Sequence, residues 1–295
     1  MMPQPSFSSI RRLNSVASFG AVLIFAAASA IPATAGPTHL EKHFKVDSHP
    51  VITIHNPNGT ITIKAWSRPE VRLVSDCQSD KVAVEASQTG NRVDLMVHPI
   101  SDQISPKELD ADFDIFVPED AELQIHNDSG SVTVTDVMGD MAVDTVAAGV
   151  DLEDAAGYLT VRTVEGPVQC KHCAGRLEIT SISGNVRLVD LRSYNVHAQT
   201  TAGDIFFDGE FLPNGTYRLK NYSGKIEVLF SPADSFNLRA ASVKGKVDNQ
   251  ANLSASNLKP PKGSNGWIGG DLNGGKAKVE LSSFDGTINI HRREQ

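Results

Sequence analysis

Cys170-Lys171-His172-Cys173 is the segment of this chain whose residue types are best suited to chemistry. Two thiols with an imidazole between them fit a redox pair or half of a metal site. Each use has a requirement that the sequence leaves unmet. A thioredoxin-like pair needs a helix N-terminus to lower its thiol pKa, and this pair falls on a strand and the turn after it. A zinc site needs a second cysteine pair, and the only other cysteine is Cys77. Haem attachment needs a His directly after the second Cys, where Ala174 stands. Core packing as small hydrophobes is the favoured use, with a local disulfide or redox or metal chemistry as the alternatives. Cys170 and Cys173 are expected to be buried and ligand-free, and Cys77 too distant to bridge either.

Other residues able to act sit in weaker patterns. His55 and His126 each occupy an Ile-His-Asn triplet. A metal would need the two side by side with a third ligand, and their copies lie far apart in sequence, so they read as exposed strand residues. Asp136, Asp140, Asp144, Asp151, Glu153 and Asp154 form an acidic stretch without the Gly-turned loop of oxygen ligands that calcium requires. Asp110, Asp112 and Asp114 alternate as the outward face of one strand. No nucleophile elbow or phosphate-cradling Gly loop is present. The sequence therefore assigns no catalytic, cofactor-binding or metal-ligating residue, and names no binding residue.

The elements that would carry these side chains follow from a repeat. A frame of apolar-x-apolar-x-(Asn/Ser/Thr)-x-x-Gly-x-apolar-x-apolar occurs nine times, with its glycine position at 59, 130, 148 (an Ala), 166, 184, 203, 224, 245 and 286. Steps of 18 to 21 residues separate the copies from 130 to 245. A fixed period near twenty marks a stack in which each unit buries its apolar face against its neighbours. Alternation over five or six positions makes each unit a pair of short strands joined at the Gly.

A meander of hairpins and a parallel solenoid both fit this pattern. The polar position three before the Gly favours the solenoid. It is Asn, Thr or Ser in every copy, and stacked strands about 4.8 Å apart turn such residues into a column. The expected fold is all-β: a parallel β-solenoid of 18–21-residue coils behind an N-terminal antiparallel β cap. Residues 125, 143, 161, 179 and 198 should stack, as should 132, 150, 168, 186 and 205. Asn127, Thr145, Thr163, Ser181, Thr200 and Asn221 should form one polar column. The same register sets Asp144 beside Arg162, and Glu153 beside Lys171.

The ends bound the setting. Residues 1–35 read as an export signal: Arg11 and Arg12, an apolar run from Val16 to Ala30, and Ala33-Thr34-Ala35 before the cut. The general secretory route fits better than the twin-arginine one. Without this segment the chain has 25 basic and 35 acidic residues, a formal charge of −10, which argues against nucleic acid or anionic lipid as partner. Residues 36–120 form the expected cap region and 121–295 the stack, interrupted by an irregular loop at 249–275 and closed by the copy at 279–290. The whole of 36–295 reads as one continuous domain.

At this point the chain resembles a known family. Asn58-Gly59-Thr60-Ile61-Thr62-Ile63 followed by Ala65-Trp66, then Phe113-Asp114-Ile115-Phe116-Val117-Pro118, and later Ser183-Gly184 and Ala202-Gly203-Asp204, are similar to the bacterial extracytoplasmic β-strand-repeat domain of unknown function labelled "putative adhesin". The resemblance spans about residues 40–292. It implies a β-solenoid and a periplasmic, secreted or cell-surface setting, and brings no catalytic residues. The function expected is a non-enzymatic interaction module for an envelope or extracellular protein or polysaccharide. A carbohydrate-active β-helix enzyme and a self-associating structural solenoid are the alternatives.

Overall fold

The computed structural model describes residues 38–100, 104–105, 108–255 and 258–293. The segment read as an export signal lies outside them. Within the described residues the frame copies fold as two-stranded coils. Strands β1 (Thr38–Lys45), β2 (Val51–Trp66), β3 (Glu70–Cys77), β4 (Val82–Thr89), β5 (Arg92–Pro99) and β6 (Ala111–Pro118) come first. Next are β7 (Glu122–Thr135), β8 (Met141–Thr145), β9 (Gly149–Glu153), β10 (Ala156–Thr163), β11 (Val168–Lys171), β12 (Ala174–Ser181), β13 (Val186–Thr200) and β14 (Ile205–Gly209). The remainder are β15 (Thr216–Asn221), β16 (Lys225–Phe230), β17 (Phe236–Ser242), β18 (Val247–Asn249), β19 (Ser254–Ala255), β20 (Gly266–Leu272), β21 (Ala277–Ser283) and β22 (Thr287–Arg292).

The fold is all-β and solenoid-like, built on two series of parallel ladders. In one, Ile125 pairs with Val143, Val143 with Val161, Val161 with Ile179, and Ile179 with Ala198. In the other, Val132, Val150, Val168, Val186 and Ile205 are successive partners. These side chains are all buried, so each coil adds one apolar rung to a core that runs along the stack. The 18-residue register holds through Ala148, where the frame lacks its glycine.

The polar column is also present, with a different bonding logic from side chain to side chain. Asn127, Thr145, Thr163, Ser181, Thr200 and Asn221 are in register and buried. Their partners are turn backbone groups. The Thr163, Ser181 and Thr200 hydroxyls accept the N–H of their own Gly, at 3.0 Å for Thr163–Gly166 and 2.8 Å for Ser181–Gly184, whereas Thr145 donates to the Ala148 carbonyl at 3.3 Å. Asn127 and Asn221 instead donate to the glycine carbonyl of the preceding coil, Gly59 and Gly203. The Asn turns place their glycines at φ +101° (Gly130) and +102° (Gly224), a region that favours Gly. Where a Ser/Thr turn carries glycine, at Gly166, Gly184 and Gly203, the glycine is needed for space. A Cβ on Gly184 would stand 2.0 Å from the Gly166 carbonyl oxygen.

Three expectations need correction. The copy at 51–66, read as part of the cap, is itself a coil: Ile52 pairs with Leu123 and Ile63 with Val134 in parallel. Residues 67–121 are an insertion between the first two coils. The cap is therefore of mixed pairing. Strand β3 is antiparallel to both β1 and β6, and β4 to β5, but β5 and β6 join β2 in parallel. At the other end the last copy in sequence is not last in space. Its β21 lies between β15 and β17, and its β22 between β16 and β18. The coil around Gly245 is the outer one, and the loop read as irregular supplies β20, which covers β17 in antiparallel fashion. Any copy offers the same apolar pattern to its neighbours, so pattern alone does not rank them.

Candidate functional site

The coil geometry decides where each reactive residue goes. Cys170 and Cys173 are buried and joined as a disulfide, with Cα atoms 6.0 Å apart. Their burial is as expected, and the local disulfide, the alternative reading, replaces packing as free thiols. His172 between them adopts a left-handed backbone, φ +54°, and the tight turn brings the two Cβ atoms round to one side. Cys77 is a buried free thiol opposite Thr38 and Ala111, and burial raises its pKa.

The acidic stretch resolves into separate functions. Asp144 pairs with Arg162 at 3.5 Å, and Glu153 with Lys171 at 2.6 Å, on adjacent strands as the register requires. Asp136, Asp154 and Asp190 occupy the same left-handed corner as His172. There His172 Nδ1 lies 3.2 Å from Asp154 and Nε2 3.7 Å from Asp190. A cavity of about 390 Å³ opens beside them, lined also by Arg192, Glu210 and Arg293. Asp112 accepts the Thr60 N–H at 2.7 Å, and Asp110 is pushed up by burial and by Asp112. His55 and His126, far apart in sequence, are brought side by side.

Sequence reasoning missed an apolar feature of the surface that runs along one corner of the coils. From Thr145 onward, the residue after each polar-column position points outward at the turn: Val146, Val164, Ile182, Thr201, Tyr222, Phe284 and Val243 in spatial order. Backbone bonds lock these turns together. The Val146 carbonyl accepts from Glu165, Val164 from Ser183, Ile182 from Thr201, Tyr222 from Asp285, and Phe284 from Lys244. The side chains make a ridge along the corner. Val146 is 45%, Ile182 53%, Tyr222 54% and Val243 38% exposed, a high value for residues with so much apolar surface. Tyr222 and Phe284 stack at 4.6 Å with planes 13° apart, and the Lys244 ammonium sits over Phe284. Beside the stack lies a groove of about 470 Å³ with Gln199, Thr201, Lys220 and Ser282 among its walls.

Both the repeat and the N-terminal strands enter the family comparison: the family model described as Toastrack DUF4097 matches residues 45–291. The chain belongs to the Toastrack DUF4097 family. No curated protein matches it. Among solved structures, this Toastrack chain is similar to one described as "a putative cell adhesion protein" from Clostridium sporogenes, at 9% identity and a TM-score of 0.28, covering 87% of this chain and 100% of that one. It is also similar to one described as "a putative adhesin" from Bacteroides fragilis, at 12% identity and a TM-score of 0.42, covering 86% and 97%. In Toastrack terms, the ridge and groove lie on the coils from the Ala148 copy to the Gly245 copy.

Proposed function

We propose that this Toastrack chain is a non-enzymatic, extracytoplasmic interaction module, adhesin-like in that it holds a protein partner on a rigid repeat surface. We read the stack as an open solenoid whose length sets the length of that surface. The observation that carries the proposal is the apolar ridge from Val146 to Val243. Its side chains stand on turns fixed by backbone hydrogen bonds, so a partner would meet preordered contacts and little entropy would be lost on binding. Aromatic and aliphatic anchors on such a surface are what protein interfaces use at their centres. The groove beside Tyr222 supports a second reading, a polysaccharide laid against an aromatic wall with Gln199 and Lys220 at hand. The export signal, and a periplasmic or surface setting, belong to the same proposal. Among the described residues no helix is long and apolar enough to cross a membrane.

The test is capture from envelope extract by residues 36–295, compared with Ile182→Asp and Tyr222→Ser chains. Ile182 is exposed, so its variant should keep the parent's thermal midpoint, and Tyr222→Ser gives up the Phe284 stack and should lower it only slightly. Expected is a protein captured by the parent and lost with both variants. Equal capture by all three chains overturns the ridge reading. Retention of a defined glycan on an array, abolished by Tyr222→Ser alone, decides for the groove.

A further inference from the structure

The parallel pairing of β2 with β7 sets the two Ile-His-Asn triplets in register, so His55 and His126 are direct neighbours. Their ring centres are 5.6 Å apart with planes inclined by 42°. On the far side of His55 the next strand, β5, places Met96. On the far side of His126 stands Asp144, and Asp128 Oδ1 lies 3.1 Å from His126 Nε2. The histidines and Met96 all face outward, and Met96 is 48% exposed, contributing little to the core.

The two imidazoles have a type and a ring separation that suit a shared metal ion. An ion held about 2.0 Å from an imidazole nitrogen is about 3.2 Å from the ring centre, so two rings sharing it at a tetrahedral angle stand about 5 Å apart. The observed 5.6 Å is close to that value, and exposed imidazoles can close the difference by a small rotation. Met96, the ladder partner of His55 on the next strand, offers a soft thioether on the same outward face. Imidazole with thioether selects copper, above all Cu(I), over zinc, calcium or magnesium. Asp128 is placed to hold His126 by its Nε2 nitrogen, leaving Nδ1 for an ion.

Another cluster is Glu153, Asp154 and His172, whose ligand atoms lie within 4.8 Å of one another. It already contains a cation, because the Lys171 ammonium is 2.6 Å from Glu153. His172 there is itself engaged by carboxylates on both sides. That cluster is an ion-pair network along the left-handed corner. No lysine or arginine stands beside His55 or His126 in the ladder.

We infer that His55, His126 and Met96 form a surface copper site, taking one Cu(I) across the first two coils. The inference is independent of the ridge.

The test is a Cu(I) titration of residues 36–295 against a chromogenic chelator, with ascorbate as reductant. The background is Cys77→Ala, so that no thiol competes. Expected is one Cu(I) per chain. His55→Ala and His126→Ala should each weaken binding by at least about tenfold. Met96→Leu should weaken Cu(I) by about tenfold while leaving Zn(II) unchanged. All three replaced side chains are exposed or outward, so an unchanged far-UV spectrum and thermal midpoint will separate lost ligands from lost fold. His172→Ala should change nothing. No stoichiometric binding, equal binding by the His55→Ala/His126→Ala double variant, or a loss that follows His172→Ala overturns the site.

Discussion

The middle of the stack and its C-terminal end are made from the same frame and differ in nearly everything else. From β8 to β12 the coils follow one another in space as in sequence, each 18 residues on. Their core has no aromatic ring and is made of Val, Leu, Ile, Ala, Met and the cystine. At the end, Phe207, Phe211, Tyr217, Phe230 and Phe236 pack ring against ring, and the coils no longer keep chain order. A short period allows one path to the next rung. Longer connections, such as residues 250–265, let a coil reach past its neighbour, and larger side chains fill the wider interior. Regularity in this fold is thus a property of connection length as much as of pattern.

The sharpest way to break this comparison is to end the chain at residue 275. In a stack built in chain order this would remove an outer coil and little else. Here β21 and β22 are interior, so β17 and β18 lose their parallel partners. Amide protection over 236–249 should fall to that of an unfolded segment. Protection retained there would mean that the Gly245 coil docks directly on the Gly224 coil. Next in size is Gly184→Ala in the regular region, where the new Cβ has no room. It should cost about 3 kcal/mol or more in urea unfolding. Gly263→Ala in the long C-terminal connection meets no atom within 4 Å, and its φ of +84° should cost only about 1–2 kcal/mol.

Tyr217 tests the aromatic end. Its hydroxyl accepts the Leu212 N–H at 2.8 Å and lies 2.8 Å from the Ser193 carbonyl. Tyr217→Phe leaves those groups unpaired and should cost about 1–3 kcal/mol at pH 7. Burial pushes the phenol up to about 12 from an ordinary 10. The folded chain favours the neutral form, so this contribution is complete below pH 10 and is lost as the pH rises through about 12. Alkaline unfolding monitored by circular dichroism should therefore begin later in the Phe variant, relative to its own stability at pH 7.

Replacing both Cys170 and Cys173 by Ala probes the regular region again. The loop they close is short, so the loss of the bond should cost about 2 kcal/mol. Thiol labelling of the parent should find Cys77 alone, and only after unfolding. The smallest effect belongs to Arg162→Ala, about 0–1 kcal/mol, because both partners are well exposed. A double-mutant cycle with Asp144→Ala should give a coupling that vanishes in high salt.

The alternation of apolar residues, the Asn/Ser/Thr position and the 18-residue step were sufficient to place the two ladders, the polar column and the Asp144–Arg162 and Glu153–Lys171 pairs. A parallel stack brings the same position of each copy into one line, so a one-dimensional period becomes a three-dimensional neighbour list. The ridge was legible by the same rule: the residue after the polar position is apolar in Val146, Val164, Ile182, Tyr222, Val243 and Phe284. Three things were decided only by the tertiary structure. The cystine depends on the left-handed turn at His172, which i,i+3 spacing does not specify. The contact of His55 with His126 depends on the first coil docking across a long insertion. The place of the last copy inside the stack depends on which open strand edge it finds, and copies that share one pattern compete for those edges on equal terms until connection length and side-chain volume choose between them.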